Sequence, residues 1–145
     1  MRVYVPIAAD ALEVVMSGKW EPSSGYAVTP TLLDIIALED EDEVAEAVRG
    51  AAAADAVLEL RSDRRVVIVV DYPRQDVAPV PGGHPAAVSL VGRVDPSTVA
   101  CAFVDEDAAV PDAREAAAGD ADALERLEQH DLLWYGPGEI DGLAR

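Results

Sequence analysis

Lysine is all but missing from this chain. Lys19 stands alone, and with arginine included the basic residues number 11 against 28 acids, a formal charge of −17. A protein that grips nucleic acid by neutralising phosphates needs a basic face, and this composition argues against one. An anionic membrane surface is disfavoured for the same reason. Cysteine is as scarce. Cys101 has no second thiol to pair with in the chain, so nothing here requires an oxidising compartment. Long apolar runs are missing too: VVIVV (66–70) and LLWY (132–135) fall far short of the roughly 20 residues that span a bilayer. Asp10 and Glu13 interrupt the N-terminal segment before it reaches the length of an export signal. The expectation is a soluble, cytoplasmic protein.

Aromatic residues make up only 5% of the chain, so a core must rest on Val, Leu and Ile. Each such side chain contributes about 1.5–3 kcal/mol when fully buried. Half of the residues are hydrophobic, enough to outweigh the charge and argue against disorder. A length of 145 residues fits one globular domain, residues 1–145. Abundant alanine and arginine in place of lysine are marks of a GC-rich genome rather than a functional device.

Along the chain, Val3, Val5 and Ile7 alternate with polar positions as in a half-buried strand, which Pro6 ends or places at an edge. Asp10 and Glu13 predict a capped helix that stops at Gly18. YAVTP (26–30) reads as extended. Thr29 or Thr31 caps a helix over TLLDIIAL, and the acids EDEDE (39–43) open a longer one, where negative charge suits the helix dipole. On that helix Val44, Ala47, Ala51, Ala54 and Leu58 form the predicted buried face, with Asp55 beside it. VVIVVDYP (66–73) has the composition of a central strand covered on both sides. The Pro-rich segment 73–85 is predicted to be a loop with a turn at PGGHP. AAVSLVGR (86–93) and STVACAFVDE (97–106) read as two strands joined through Asp95-Pro96. Two short helices and a final strand, DLLWY (131–135), follow, and GPGEIDGLAR shows turn chemistry without periodicity. This order predicts an α+β fold: a single mixed, partly antiparallel sheet packed with helices.

Motifs for chemistry are few. His84 and His130 lie far apart in sequence and lack Cys or His neighbours, so no metal site and no cofactor are expected. His130 falls at a predicted helix C-terminus, where a cation is favoured. Cys101 lies within an apolar strand, which suits an inert thiol better than a nucleophile. No nucleophile elbow or phosphate loop is present. Asp71 ends a strand, and strand ends are where open α/β sheets place ligand-binding groups. Asp105 ends another, and Tyr72 adjoins the first, so Asp71, Tyr72 and Asp105 form one candidate ligand site, with Trp134 within reach. Asp at a strand end is also a routine turn former. Trp134 and Tyr135 could form an exposed recognition patch, though such residues more often fill a core.

MRVYVP at the start, YAVTP at 26–30 and the closing HDLLWYGPGEI together resemble a family of small actinobacterial proteins catalogued as a domain of unknown function. The resemblance spans the chain in the same order. It departs at Gly136-Pro137-Gly138, where a more polar linker before Glu139-Ile140 is usual. It implies an actinobacterial, cytosolic domain and brings no activity, cofactor or site residue. Three functional readings remain open. The first is a non-enzymatic module whose acidic field steers a basic protein partner. The second is a small-ligand binder or enzyme using the strand-end acids near Asp71. The third is a homodimer built on an exposed sheet edge.

Overall fold

Every strand pairing described by the computed structural model is antiparallel, and the strands form one seven-stranded sheet. The structure describes residues 1–36 and 40–144. The fold is α+β. In chain order the strands are β1 (Arg2–Pro6), β2 (Ser24–Tyr26), β3 (Val66–Asp71), β4 (Val77–Pro79), β5 (Ala87–Leu90), β6 (Val99–Asp105) and β7 (Leu132–Tyr135). The helices are α1 (Pro30–Ile35), α2 (Glu41–Leu58), α3 (Val110–Ala117), α4 (Ala121–Glu128) and α5 (Ile140–Leu143). Across the sheet the order is β4-β5-β2-β1-β3-β6-β7.

The apolar run of β3 sits at the heart of this order. Val66 to Val70 are all buried, because both faces of the strand are covered. On one face Val3, Val5, Val66, Ile68, Val70, Val88 and Val104 pack beneath Leu12, Val15, Trp20, Val94 and Ile140. On the other face Val67 packs under Ala52 and Ala53 of α2, with Tyr4, Tyr26 and Phe103 at the margin. Small helix residues let α2 lie close to the sheet, and Val57 then joins it to α3 and α4 through Ala113, Ala116, Ala123 and Leu127. β2 crosses β1 closely at Gly25, where an added Cβ would come within 2.8 Å of the Val3 side chain.

Thr29 caps α1, accepting a bond from Leu32 N, with Pro30 in the first turn. Asp40 caps α2 ahead of Glu41, Asp42 and Glu43, so that part of the acidic run is a helix start. The predicted end of the first of these helices, and Glu39, lie outside the described residues.

Five local expectations are corrected. Residues 9–14 form a 3-10 helix, and Asp10 lies inside its first turn rather than capping it; short connectors favour this tighter winding. The short strand near residue 26 pairs over Ser24–Tyr26, not 26–30. The buried face of α2 is Val44, Val48, Ala52 and Ala56, flanked by Ala53 and Val57, while Leu58 is exposed. With alanine on every side of the helix, the valines decide which face turns inward. The Pro-rich segment contains β4, paired with β5. Finally, the C-terminal tail forms α5 and buries Ile140 completely, a single anchor that leaves no periodic signature.

β5 and β6 are also not neighbours. The link between them, residues 91–98, crosses the ends of β2, β1 and β3 and inserts Val94 into the core.

Candidate functional site

Antiparallel pairing decides where the strand-end acids fall. Val70 lies opposite Val99, and Val66 lies opposite Val104. Asp71 and Asp105 therefore stand at opposite ends of the sheet, six residues apart in register. At about 3.4 Å per residue that is roughly 20 Å. The convergence of Asp71, Tyr72 and Asp105 expected of a parallel sheet does not occur.

Each of the three has its own surroundings. Asp71 is exposed and pairs with Arg2, whose Nε and Nη2 reach its carboxylate at 3.2 and 3.4 Å. Tyr72 is buried in the main core, and its hydroxyl has no hydrogen-bond partner among the described residues. Burial, with a smaller push from the charge of Asp76, raises its pKa to about 12. A buried polar group left unpaired costs about 1–3 kcal/mol. Beside it lies a cleft of about 260 Å³ bordered by Asp76, Arg93, Asp95 and Thr98. Asp105 has a side chain 0% exposed and is bound by Arg65.

The Arg65–Asp105 pair organises the other end of the sheet. Arg65 donates from Nη2 at 2.7 Å and from Nε at 3.0 Å to one carboxylate oxygen, and its backbone N–H donates to the second at 2.6 Å. The same Nη2 also donates to the carbonyl of His130 at 2.9 Å, which pins the turn that leads into β7. A charge pair so deeply buried holds only because its geometry and remaining hydrogen bonds are good.

His130 adds a second clamp. Its Nδ1 lies 2.9 Å from Glu106 and its Nε2 lies 3.3 Å from Asp112. With a carboxylate on each nitrogen the imidazolium form is favoured, and its pKa is raised, chiefly by the bond to Glu106. Arg126 joins Asp112 to Glu115 and holds Asp112 below the usual carboxylate range. His130 follows the end of α4, as expected, yet its partners are carboxylates rather than the helix terminus. Sequence reading missed this cluster because its members come from four separate segments. The only hint was the placement of Arg65 immediately before an apolar strand.

β7 is held in place by this cluster and is the outermost strand on its side. Trp134 is 60% exposed and Leu133 40% exposed. Tyr135 differs, being half-buried against the main core. The expected aromatic pair is thus divided between the two roles, Trp134 outward and Tyr135 inward, because neighbours in a strand point to opposite faces. A cavity of about 320 Å³ separates β7 and α4 from α2, lined by Glu46, Arg49, Arg65, Glu128, Asp131 and Leu132 among others. Of its cations, Arg65 and His130 are paired with carboxylates, and Arg49, stacked 4.5 Å above the Phe103 ring, is outnumbered by Glu46, Glu128 and Asp131. The charge left to it is acidic.

Cys101 is buried in β6 with its thiol pushed up by burial. Among the described residues, no group of three or more His, Cys, Asp or Glu is placed to hold a metal ion. No described helix is long and apolar enough to cross a membrane.

The fold and site define an antiparallel α+β protein whose sheet is covered on both faces and ends in an open apolar edge at β7. The chain belongs to a family of unknown function, DUF6912, whose model matches residues 1–144. No curated protein and no solved structure matches it.

Proposed function

We propose that this chain is a non-enzymatic interaction module that takes an extended, basic segment of a partner protein onto the outer edge of β7. The observation behind this reading is the edge itself: a four-residue strand with Leu133 and Trp134 exposed and, among the described residues, a neighbouring strand on one side only. Such an edge pairs readily with an added strand, which gains main-chain hydrogen bonds and places alternate side chains in flanking pockets. The charge sets the partner. Residues 127–144 contain no Lys or Arg and include Glu128, Asp131, Glu139 and Asp141. The cavity beside β7 then suits a basic side chain of the bound strand. Pairing two copies of the edge would oppose acid to acid, so a cationic partner is favoured over a homodimer.

The test is a titration with octapeptides that alternate Lys or Arg with Val or Ile, followed by amide chemical shifts of β7. Saturable binding that weakens with salt and is lost in Trp134→Ala supports the proposal. Equal binding of neutral octapeptides, or undiminished binding to Trp134→Ala, overturns it.

A further inference from the structure

The face covered by α2 carries a second cavity, at the end of the sheet where β1 begins. It encloses about 440 Å³ and is walled by Met1, Arg2, Tyr4, Val28, Pro30, Leu33 and Arg74. That volume falls within the range of small-molecule sites, which are mostly apolar with a few placed polar groups. Among the described residues the charged side chains on its wall are both arginines. In a chain with 28 acids and 11 bases, a wall with only basic side-chain charge runs against composition.

The polar groups there have capacity to spare. Arg2 spends Nε and Nη2 on Asp71, which fixes the guanidinium and leaves Nη1 without a partner among the described residues. Among the described residues Arg74 makes no ion pair and the Tyr4 hydroxyl makes no hydrogen bond. Burial raises the Tyr4 pKa, with Arg2 and Arg49 pulling the other way, so the hydroxyl remains a donor at neutral pH. An adjoining cavity of about 350 Å³ shares Val28 and Leu33 and continues to Val44 and Glu41. The whole groove is therefore basic at one end, apolar in the middle and acidic at the other.

We propose that this groove binds a small carboxylate carrying an apolar body. The carboxylate meets Arg74, Arg2 Nη1 and the Tyr4 hydroxyl, and the body lies along Pro30, Val28 and Leu33. Arginine is suited to this task because its planar donors match a carboxylate in geometry and charge. Glu41 at the far end opposes the reverse orientation. The overall negative charge does not prevent binding, since at physiological salt charges beyond about 8 Å are largely screened. The site is separate from the β7 edge, and the two proposals stand or fall independently.

The experiment is a titration of the full chain at physiological salt with octanoate, octanol, octylamine and inorganic phosphate, read by calorimetry and amide shifts. Octanoate is expected to bind at least about tenfold more tightly than each of the others, with shifts at Tyr4, Val28 and Leu33. A tenfold ratio is about 1.4 kcal/mol, the scale of one hydrogen bond to a charged group. Arg74→Ala should lose about tenfold in octanoate affinity, whereas Arg93→Ala, an exposed arginine outside the groove, should lose nothing. Octanol binding as well as octanoate overturns the proposal, as does phosphate alone binding as well. No octanoate binding, or an Arg74→Ala variant that binds like the parent, also overturns it.

Discussion

The two edges of the sheet are built to opposite rules. β4 is three residues long, ends in Pro79 and is flanked by Pro73, Pro81 and Pro85. Proline removes a backbone donor, and a short, kinked strand offers little template for another chain. β7 has no proline, exposes Trp134 and Leu133, and is braced from behind by Arg65, Asp105 and His130. Natural sheets blunt edges that have no use. A guarded edge and a braced but unguarded one in the same small sheet is what a binding edge requires. The lesson is that the buried ions serve position: they hold one strand still, as the proposed binding edge requires.

Breaking the brace should give the largest effect. Asp105→Ala leaves the Arg65 charge buried and unpaired, a loss of about 3–5 kcal/mol by urea denaturation. Hydrogen exchange should rise first at β7 and the turn before it, while β4 and β5 keep their protection. Equal loss at both edges would mean that the pair stabilises the whole sheet rather than one side of it.

A smaller effect, dependent on pH, is expected from the second clamp. The His130 pKa is raised by folding, so its contribution is complete below the ordinary histidine value of about 6.5. It is lost as pH rises through the higher folded value. Thermal melts of the parent and of His130→Gln should therefore differ most in mild acid and converge in the alkaline range. At the acid extreme the trend reverses for its partner. Asp112 is held low, chiefly by Arg126, so its contribution is present above the ordinary carboxylate range and fades as pH falls through the depressed value. A difference between the two proteins that grows with rising pH would refute the clamp.

The smallest effect on stability, within about 0.5 kcal/mol, is expected of Pro79→Val. It restores a donor to β4 and so removes that edge's guard. Light scattering at high concentration should show more self-association than the parent. An unchanged, monodisperse variant would show that brevity rather than proline protects this edge.

Much of the local structure was legible in the residues. A β-branched run marked β3, an apolar run marked β6, Thr29 or Thr31 marked the start of α1, and acids marked the start of α2. The candidate site was far less legible. Asp71 and Asp105 read as equivalent strand ends, and only antiparallel pairing sends them roughly 20 Å apart. Trp134 and Tyr135 read as one patch, and the register with β6 divides them. Arg2 and Arg74 carried no motif, since their shared cavity is made by folding residues 2 and 74 to the same sheet end.

Composition by itself determined the acidic character, the valine-based core and the placement of most helices and strands. These follow from side-chain chemistry and periodicity within a few residues of chain. Tertiary structure alone decided the strand order, the face that α2 turns inward, the partners of Arg65 and His130, and which edge stayed open. Those choices depend on contacts between segments far apart in the chain, such as Arg65 with Asp105 and His130, which no local pattern encodes.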